Sequence, residues 1–303
     1  MSETEAGAMQ INGDIIVGVD GSETSCEAAA WALKESRRSG QPLRLVSVAS
    51  AAHPASADHA AARTAAEEAL ASTGQRLTEL MAGQERPAAF STEVHDGDPA
   101  EVMAELSEEA GLLVIGHHGS DQPATGRIGT VSAGVPGHAL SPVLIHRAVR
   151  GSEFDSVDVH PRGETGVVVG LDTSDYSGVA ALNAASYAVD TNANLHIIVG
   201  TAPLDGDELA RAQTELDMTW LRSHFPGLRV DAAYHDAEPV ELLIEQSRTA
   251  DMLVMGKRGL GRFASMLAQL GRTTSRVLPA AECSLLVVPF RDDPKLADRR
   301  IAD

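Results

Sequence analysis

The sequence predicts an α/β protein built from two tandem copies of a doubly wound, five-stranded parallel sheet. Three observations lead there. Short apolar runs with β-branched centres alternate with helical stretches along the whole chain, the mark of βαβ units with helices on both faces of a parallel sheet. The pattern then starts again near the middle, which marks a duplication. The 303 residues, 43% of them hydrophobic, suffice for two domains of ordinary size.

Residues 1–13 are small and polar and read as a lead-in. IIVGVD (15–20) is a buried strand ending in Asp20; Gly-Ser follows, and Ser25 to Arg38 is an Ala-rich helix closed by Gly40, with Trp31 on its apolar face. LRLVSVA (43–49) is the second strand, 50–62 a loop containing Ala, His and Pro, and 63–82 a long helix. The third strand, 90–95, runs into Asp96-Gly97-Asp98-Pro99, where Asp98 caps a helix that Pro99 begins and that reaches Glu109. Leu112 to Ser132 is a fourth strand, a glycine-rich loop and a helix start, and PVLIH (142–146) is the fifth strand. In the second copy GVVVGLDTS (166–174) repeats the opening, with Asp172 in the place of Asp20, and LHIIVGTA (195–202) repeats strand two, both at an offset of 152. YHDAEPVELL and LVMGKRG repeat VHDGDPAEVM and LVIGHHG at an offset of 140, and LLVV (285–288) repeats VLIH. The second copy has lost twelve residues near 50–62 and gained two inside its glycine loop. Domain one is 1–149 and domain two 150–303, with 148–164 as the linker.

The stretch LLVIGHHGSDQPATGRIGTVS carries the chemistry. Glycine at 116 and 119 permits φ > 0 and close approach of a ligand. The hydroxyls of Thr130 and Ser132 fall where free N–H groups of a helix start point outward. Together these read as an anion cradle, most simply for phosphate. An ordinary strand-to-helix connection is the alternative for one such loop taken alone.

Net charge is −19, so the surface repels nucleic acid and anionic lipid, and a phosphate must be held by local donors against the global field. No apolar run reaches the roughly 20 residues of a membrane helix. The start MSETEAGAMQ has neither a basic region nor an apolar core, so a cytoplasmic location is expected. Cys26 and Cys283 lie one in each half without CxxC spacing and read as buried core residues. His117 and His118 diverge as adjacent loop residues with no spaced carboxylate or cysteine, so no metal site is expected. Trp31, Trp220 and Phe263 read as core or interface aromatics, and Glu67-Glu68 and Glu108-Glu109 as solvated helix faces. No catalytic set is present: GxxxxGK[ST], GxSxG and HExxH are all missing.

A strand ending in Asp-Gly-Ser, a G-D-P turn after strand three, and Gly-x-x-Gly, nine residues, then Gly-Thr together resemble the universal stress protein family in its tandem form, over about 14–147 and 166–290. The resemblance implies ATP as the ligand, with Mg2+ as a candidate companion ion. It places Asp20 and the backbone near Val48 by the adenosine, and Gly116 and Gly119 along the ribose and phosphates, with His117 beside them in the loop. Gly129, Thr130, Val131 and Ser132 receive the phosphate chain. In the second copy Asp172, Gly256, Gly259, Gly271 and Thr273 are the corresponding positions. The family's pairing habit also implies that the fifth strands of the two copies cover each other and that the chain forms a homodimer through other surfaces.

Function divides three ways on this reading: an ATP-binding regulator that switches shape or partners, a slow ATP hydrolase using magnesium and a loop histidine, or an interaction module without a ligand. Two departures from the family pattern carry expectations. Pro136, with Gly134 and Gly137, should leave the fourth helix short or kinked and the Ser132 carbonyl without its usual donor, since an interior proline costs about 3 kcal/mol. The second loop has eleven residues after Gly259, and Arg272 follows Gly271, so its site should be weaker or altered in ligand.

Overall fold

The computed structural model describes residues 13–50, 57–84, 89–119, 128–147, 166–172, 174–200, 207–258 and 270–299. It divides into two compact units, one built on the first copy and the other on the second. The linker stretch 148–164, Gly259 and Phe263 lie outside the described residues.

In the first unit the order is β1 (Asp14–Gly18), α1 (Glu23–Ser39), β2 (Leu43–Ala49), α2 (Ala57–Leu80), β3 (Ser91–Asp96), α3 (Pro99–Leu106), β4 (Ala110–Gly116), α4 (Thr130–His138) and β5 (Val143–His146). The strands pair in the order β3-β2-β1-β4-β5, all parallel. The centre is β1 and β4, where Ile15, Leu112, Leu113 and Val114 are fully buried; strands covered on both faces carry unbroken apolar runs rather than alternation. Ser22 caps α1 by accepting from the Ser25 N–H, and Gly40 closes it in the left-handed region at φ 75°. Asp98 caps α3 by accepting from the N–H groups of Ala100 and Glu101.

The second unit repeats the plan: β6 (Val167–Gly170), α5 (Asp175–Asp190), β7 (Asn194–Gly200), α6 (Asp207–His224), β8 (Arg229–His235), α7 (Pro239–Gln246), β9 (Met252–Gly256), α8 (Arg272–Val277) and β10 (Ser284–Val288). Its strands pair in the order β8-β7-β6-β9-β10, again parallel. A 3₁₀ turn, η1 (Pro294–Arg299), follows. Cys26 and Cys283 are both buried and unbridged.

Two boundaries differ from the sequence reading. Helix α2 begins at Ala57 rather than 63, because the Ala-rich run supports helix and its first turns are tied to β3: His59 Nε2 lies 2.9 Å from Asp96 Oδ1 and Arg63 Nη1 3.2 Å from the same carboxylate. Helix α4 is short, nine residues, and runs through the buried Pro136, which has no N–H to offer the Ser132 carbonyl.

Candidate functional site

Strand order in the first unit reverses between β1 and β4, so their carboxyl ends open the crevice where such sheets receive ligands. Asp20 stands on one side, two residues beyond β1. Its Oδ1 accepts from the Ser22 N–H at 3.0 Å and the Ser22 hydroxyl at 2.6 Å. Helix capping falls to Ser22, and Asp20 holds that cap in place. The other oxygen, Oδ2, lies over Gly119: a Cβ built there would sit 2.5 Å from it.

The described ends of the glycine loop, 116–119 and 128–129, form the opposite side. Neither Gly116 nor Gly119 has positive φ, contrary to the expectation from sequence; close approach is what requires them. A Cβ on Gly116 would be 2.9 Å from the Thr24 carbonyl carbon, and one on Gly129 3.3 Å from the His118 Cα. Three bonds fix the loop ends. The Thr24 hydroxyl donates to the His118 carbonyl, the Gly129 N–H to the His117 carbonyl at 2.9 Å, and the Ser132 hydroxyl to the Gly116 carbonyl at 2.6 Å. Ser132 is therefore buried and serves as a tie, whereas Thr130 is exposed and Val131 half-buried at the mouth. No side chain caps α4 at Gly129, which leaves its first N–H groups, with about half a unit of positive charge, to water or a ligand.

His117 is buried, and its Nε2 faces the Arg147 guanidinium. Burial, then the charge of Arg147, then His118 push its pKa down to about 4, so the ring is neutral and Nε2 accepts from Arg147. What His117 lends to the loop is its backbone, since its ring is occupied. His118 is half-buried, with Nδ1 buried and unpartnered. Val48 is half-exposed near the end of β2, in register with His95, one residue before the Ala49–Asp96 pair that α2 caps through His59 and Arg63. Among the described residues no group of three or more His, Cys, Asp or Glu could hold a metal ion. Thr24 and Arg147 went unnoticed in sequence, because each acts through a contact almost a hundred, or thirty, residues away.

The second unit keeps the ties and changes the walls. Asp172 Oδ1 accepts from the Ser174 N–H at 3.0 Å and from the Ser174 hydroxyl, as Asp20 does from Ser22. The Gly271 N–H donates to the Lys257 carbonyl at 2.8 Å and the Thr274 hydroxyl to the Gly256 carbonyl at 2.9 Å. Thr274 is thus the counterpart of Ser132, and Thr273, the position expected to matter, is its half-buried neighbour. Gly200, in the place of Val48, has no room for a side chain: a Cβ would meet Pro239 Cγ at 2.9 Å. Behind the Asp172 loop lies Arg299, which pairs with buried Asp217 through two bonds of 2.9 Å and donates to the Ser174 carbonyl at 2.5 Å. Nothing in local sequence pattern pointed to Arg299.

The sequence profile of the universal stress protein family matches twice, at residues 12–147 and 165–289. A universal stress protein of Mycolicibacterium smegmatis is 27% identical over 291 residues, 90% of this chain and 96% of that one. One from Mycobacterium tuberculosis is 26% identical over 325 residues, covering 95% of this chain and 98% of its own. A crystal structure of a universal stress protein from Archaeoglobus fulgidus superposes with a TM-score of 0.67 at 22% identity, over 93% of this chain and 97% of that one.

Proposed function

This chain belongs to the universal stress protein family, and from that premise we propose that its first domain binds ATP and that the protein acts as a nucleotide-dependent regulator rather than a catalyst. The observation that carries the reading is Asp20 over Gly119: a carboxylate held by Ser22 crosses a residue whose missing side chain gives it room. That carboxylate is an acceptor of the kind that takes the two hydroxyls of a ribose. The N–H groups beyond Gly129 and the Thr130 hydroxyl are donors of the kind that take phosphate oxygens. Gly116 and Gly119 lie between the two, and Val48 offers an apolar wall to the adenosine side. A Mg2+ ion accompanying the nucleotide would be held chiefly by phosphates and water, as that ion prefers.

The regulatory reading is favoured over hydrolysis because the ring Nε2 of His117, one of the two loop histidines, is already engaged by Arg147. The nucleotide is expected in the first domain at least about tenfold more tightly than in the second, roughly 1.4 kcal/mol, since Val48 offers the adenosine side an apolar wall where the second domain has Gly200, with no room for a side chain beside Pro239. ATP at about 100 times its dissociation constant should add roughly 2.7 kcal/mol to the unfolding free energy of the domain that binds it. Thermal melts with and without ATP, alongside native mass spectrometry of the gently purified chain, test this. An Asp20→Ala variant that still responds fully to ATP would overturn it. Single-turnover hydrolysis that survives repurification and vanishes in Gly119→Val would shift the reading to an enzyme.

A further inference from the structure

Of the side chains of the C-terminal turn η1, Leu296 and Arg299 are buried. Both enter a socket that the second copy makes by two exchanges. Gly178 stands on α5 where the first copy has buried Cys26, and Asp217 stands on α6 where it has fully buried Leu77, at the repeat offsets of 152 and 140. A Cβ on Gly178 would lie 2.5 Å from Arg299 Nη1 and 2.9 Å from Leu296 Cδ2, so the missing side chain is what admits both anchors. Asp217 receives the guanidinium through two bonds of 2.9 Å and a third donor, Gln213 Nε2, at 3.0 Å. Beside them the Trp220 indole N–H donates to the Lys295 carbonyl at 2.8 Å, and His224 Nε2 stands 3.5 Å from the Asp298 carboxylate.

The same guanidinium reaches past the socket. Nη1 donates to the Ser174 carbonyl at 2.5 Å and Nη2 to the Asp172 carbonyl at 3.4 Å. Ser174 is the N-cap of α5, and its own N–H and hydroxyl hold the Asp172 carboxylate. Docking of the turn and placement of Asp172, the counterpart of Asp20, are therefore joined in one side chain. Two features make that joint reversible. Among the described residues the backbone N–H bonds of the turn are its own: Leu296 donates to the Asp293 carbonyl and Lys295 to the Asp293 carboxylate, both at 2.9 Å. A buried ion pair is also a weaker net stabiliser than an apolar pair in the same place, because undocking returns both ions to water.

We propose that η1 is a releasable latch on the second domain: through Arg299 it pins Asp172 and the Ser174 cap, and its undocking frees them while the sheet of that domain stays folded. The proposal rests on contacts within the second domain and stands whether or not the first domain binds ATP.

The test is NMR-detected hydrogen exchange on the full chain. The Trp220 indole N–H and the Leu296 amide report the latch, the Ser174 and Ser177 amides the pinned side, and the amides of β9 the sheet. In the parent chain the latch and pinned reporters should share one protection factor, at least about tenfold below that of β9, the signature of a unit that opens without the rest. Gly178→Ala, which fills the clearance, should lower both sets by a further factor of about ten or more relative to β9; Leu296→Ala, which thins one anchor, serves if that variant folds poorly. In Arg299→Met/Asp217→Leu, where apolar groups hold the turn but no guanidinium meets the two carbonyls, Ser174 and Ser177 should lose protection while the latch reporters keep theirs. Latch reporters that exchange only at the β9 rate would make η1 a fixed part of the domain and overturn the proposal. So would Ser174 and Ser177 amides that keep the parent's protection once the latch reporters have lost theirs, or that keep it in Arg299→Met/Asp217→Leu.

Discussion

Substituting Gly119 by alanine tests the geometry of the first site directly. The new methyl carbon would lie 2.5 Å from Asp20 Oδ2. Ordinary contact is near 3.5 Å, so the carboxylate has to withdraw by roughly 1 Å. Its other oxygen is held by two donors of Ser22, and withdrawal weakens both. Those bonds are exposed, so about 1–2 kcal/mol of unliganded stability is at stake. If Asp20 accepts from the ribose, losing that charged hydrogen bond costs about 1.5–3 kcal/mol of ATP affinity. That corresponds to a loss of about ten- to a hundredfold. Calorimetry on Gly119→Ala, Asp20→Ala and the double variant separates this route from simple blockage of the ligand. Once Asp20 is truncated, the alanine at 119 has nothing left to displace, so the two losses should be strongly non-additive. Additive losses, or wild-type affinity in Gly119→Ala, would refute the argument.

Three further outcomes are expected. Arg299→Ala strands the buried Asp217 carboxylate and should cost about 3–5 kcal/mol in urea unfolding of the second domain, with much of the loss recovered in Arg299→Met/Asp217→Leu; a change below 1 kcal/mol would contradict the buried pair. Gly116→Ala drives a methyl to 2.9 Å from the Thr24 backbone, where neither β4 nor α1 can yield by a side-chain rotation, and should destabilise the first domain by about 1–3 kcal/mol. The pKa of His117, lowered to about 4 from 6.5, means that the unfolded chain takes up its proton first as pH falls. Its contribution to stability is complete above pH 6.5 and is lost between there and pH 4, with a slope of up to about 1.4 kcal/mol per pH unit. Melts of His117→Asn against the parent should show a shallower fall over that window, and parallel curves would show that His117 is not the group titrating.

The sequence by itself determined the strands, their parallel class, the duplication and the family. Those follow from local information: β-branched runs such as LLVIG, caps such as Ser22 and Asp98, and self-similarity at fixed offsets. It also located the crevice, because Asp20 and Gly116–Gly129 follow the two strands that must flank the reversal of strand order. Side-chain roles were a different matter. Ser132 and Thr130 both look like phosphate donors in sequence, yet their two-residue offset puts them on opposite faces of the helix, the first inward on the Gly116 carbonyl and the second at the mouth. His117 looks like a loop ligand until Arg147, thirty residues on, takes its ring nitrogen. Gly116 and Gly119 look like positions for positive φ, and they are clearances set by Thr24 and Asp20. Arg299 carried no signal at all, because its partners lie 82 and 125 residues away. Periodicity and capping act over a few residues and can be read along the chain. Which polar atoms meet across the crevice depends on the packing of elements distant in sequence, and only the tertiary structure decides that.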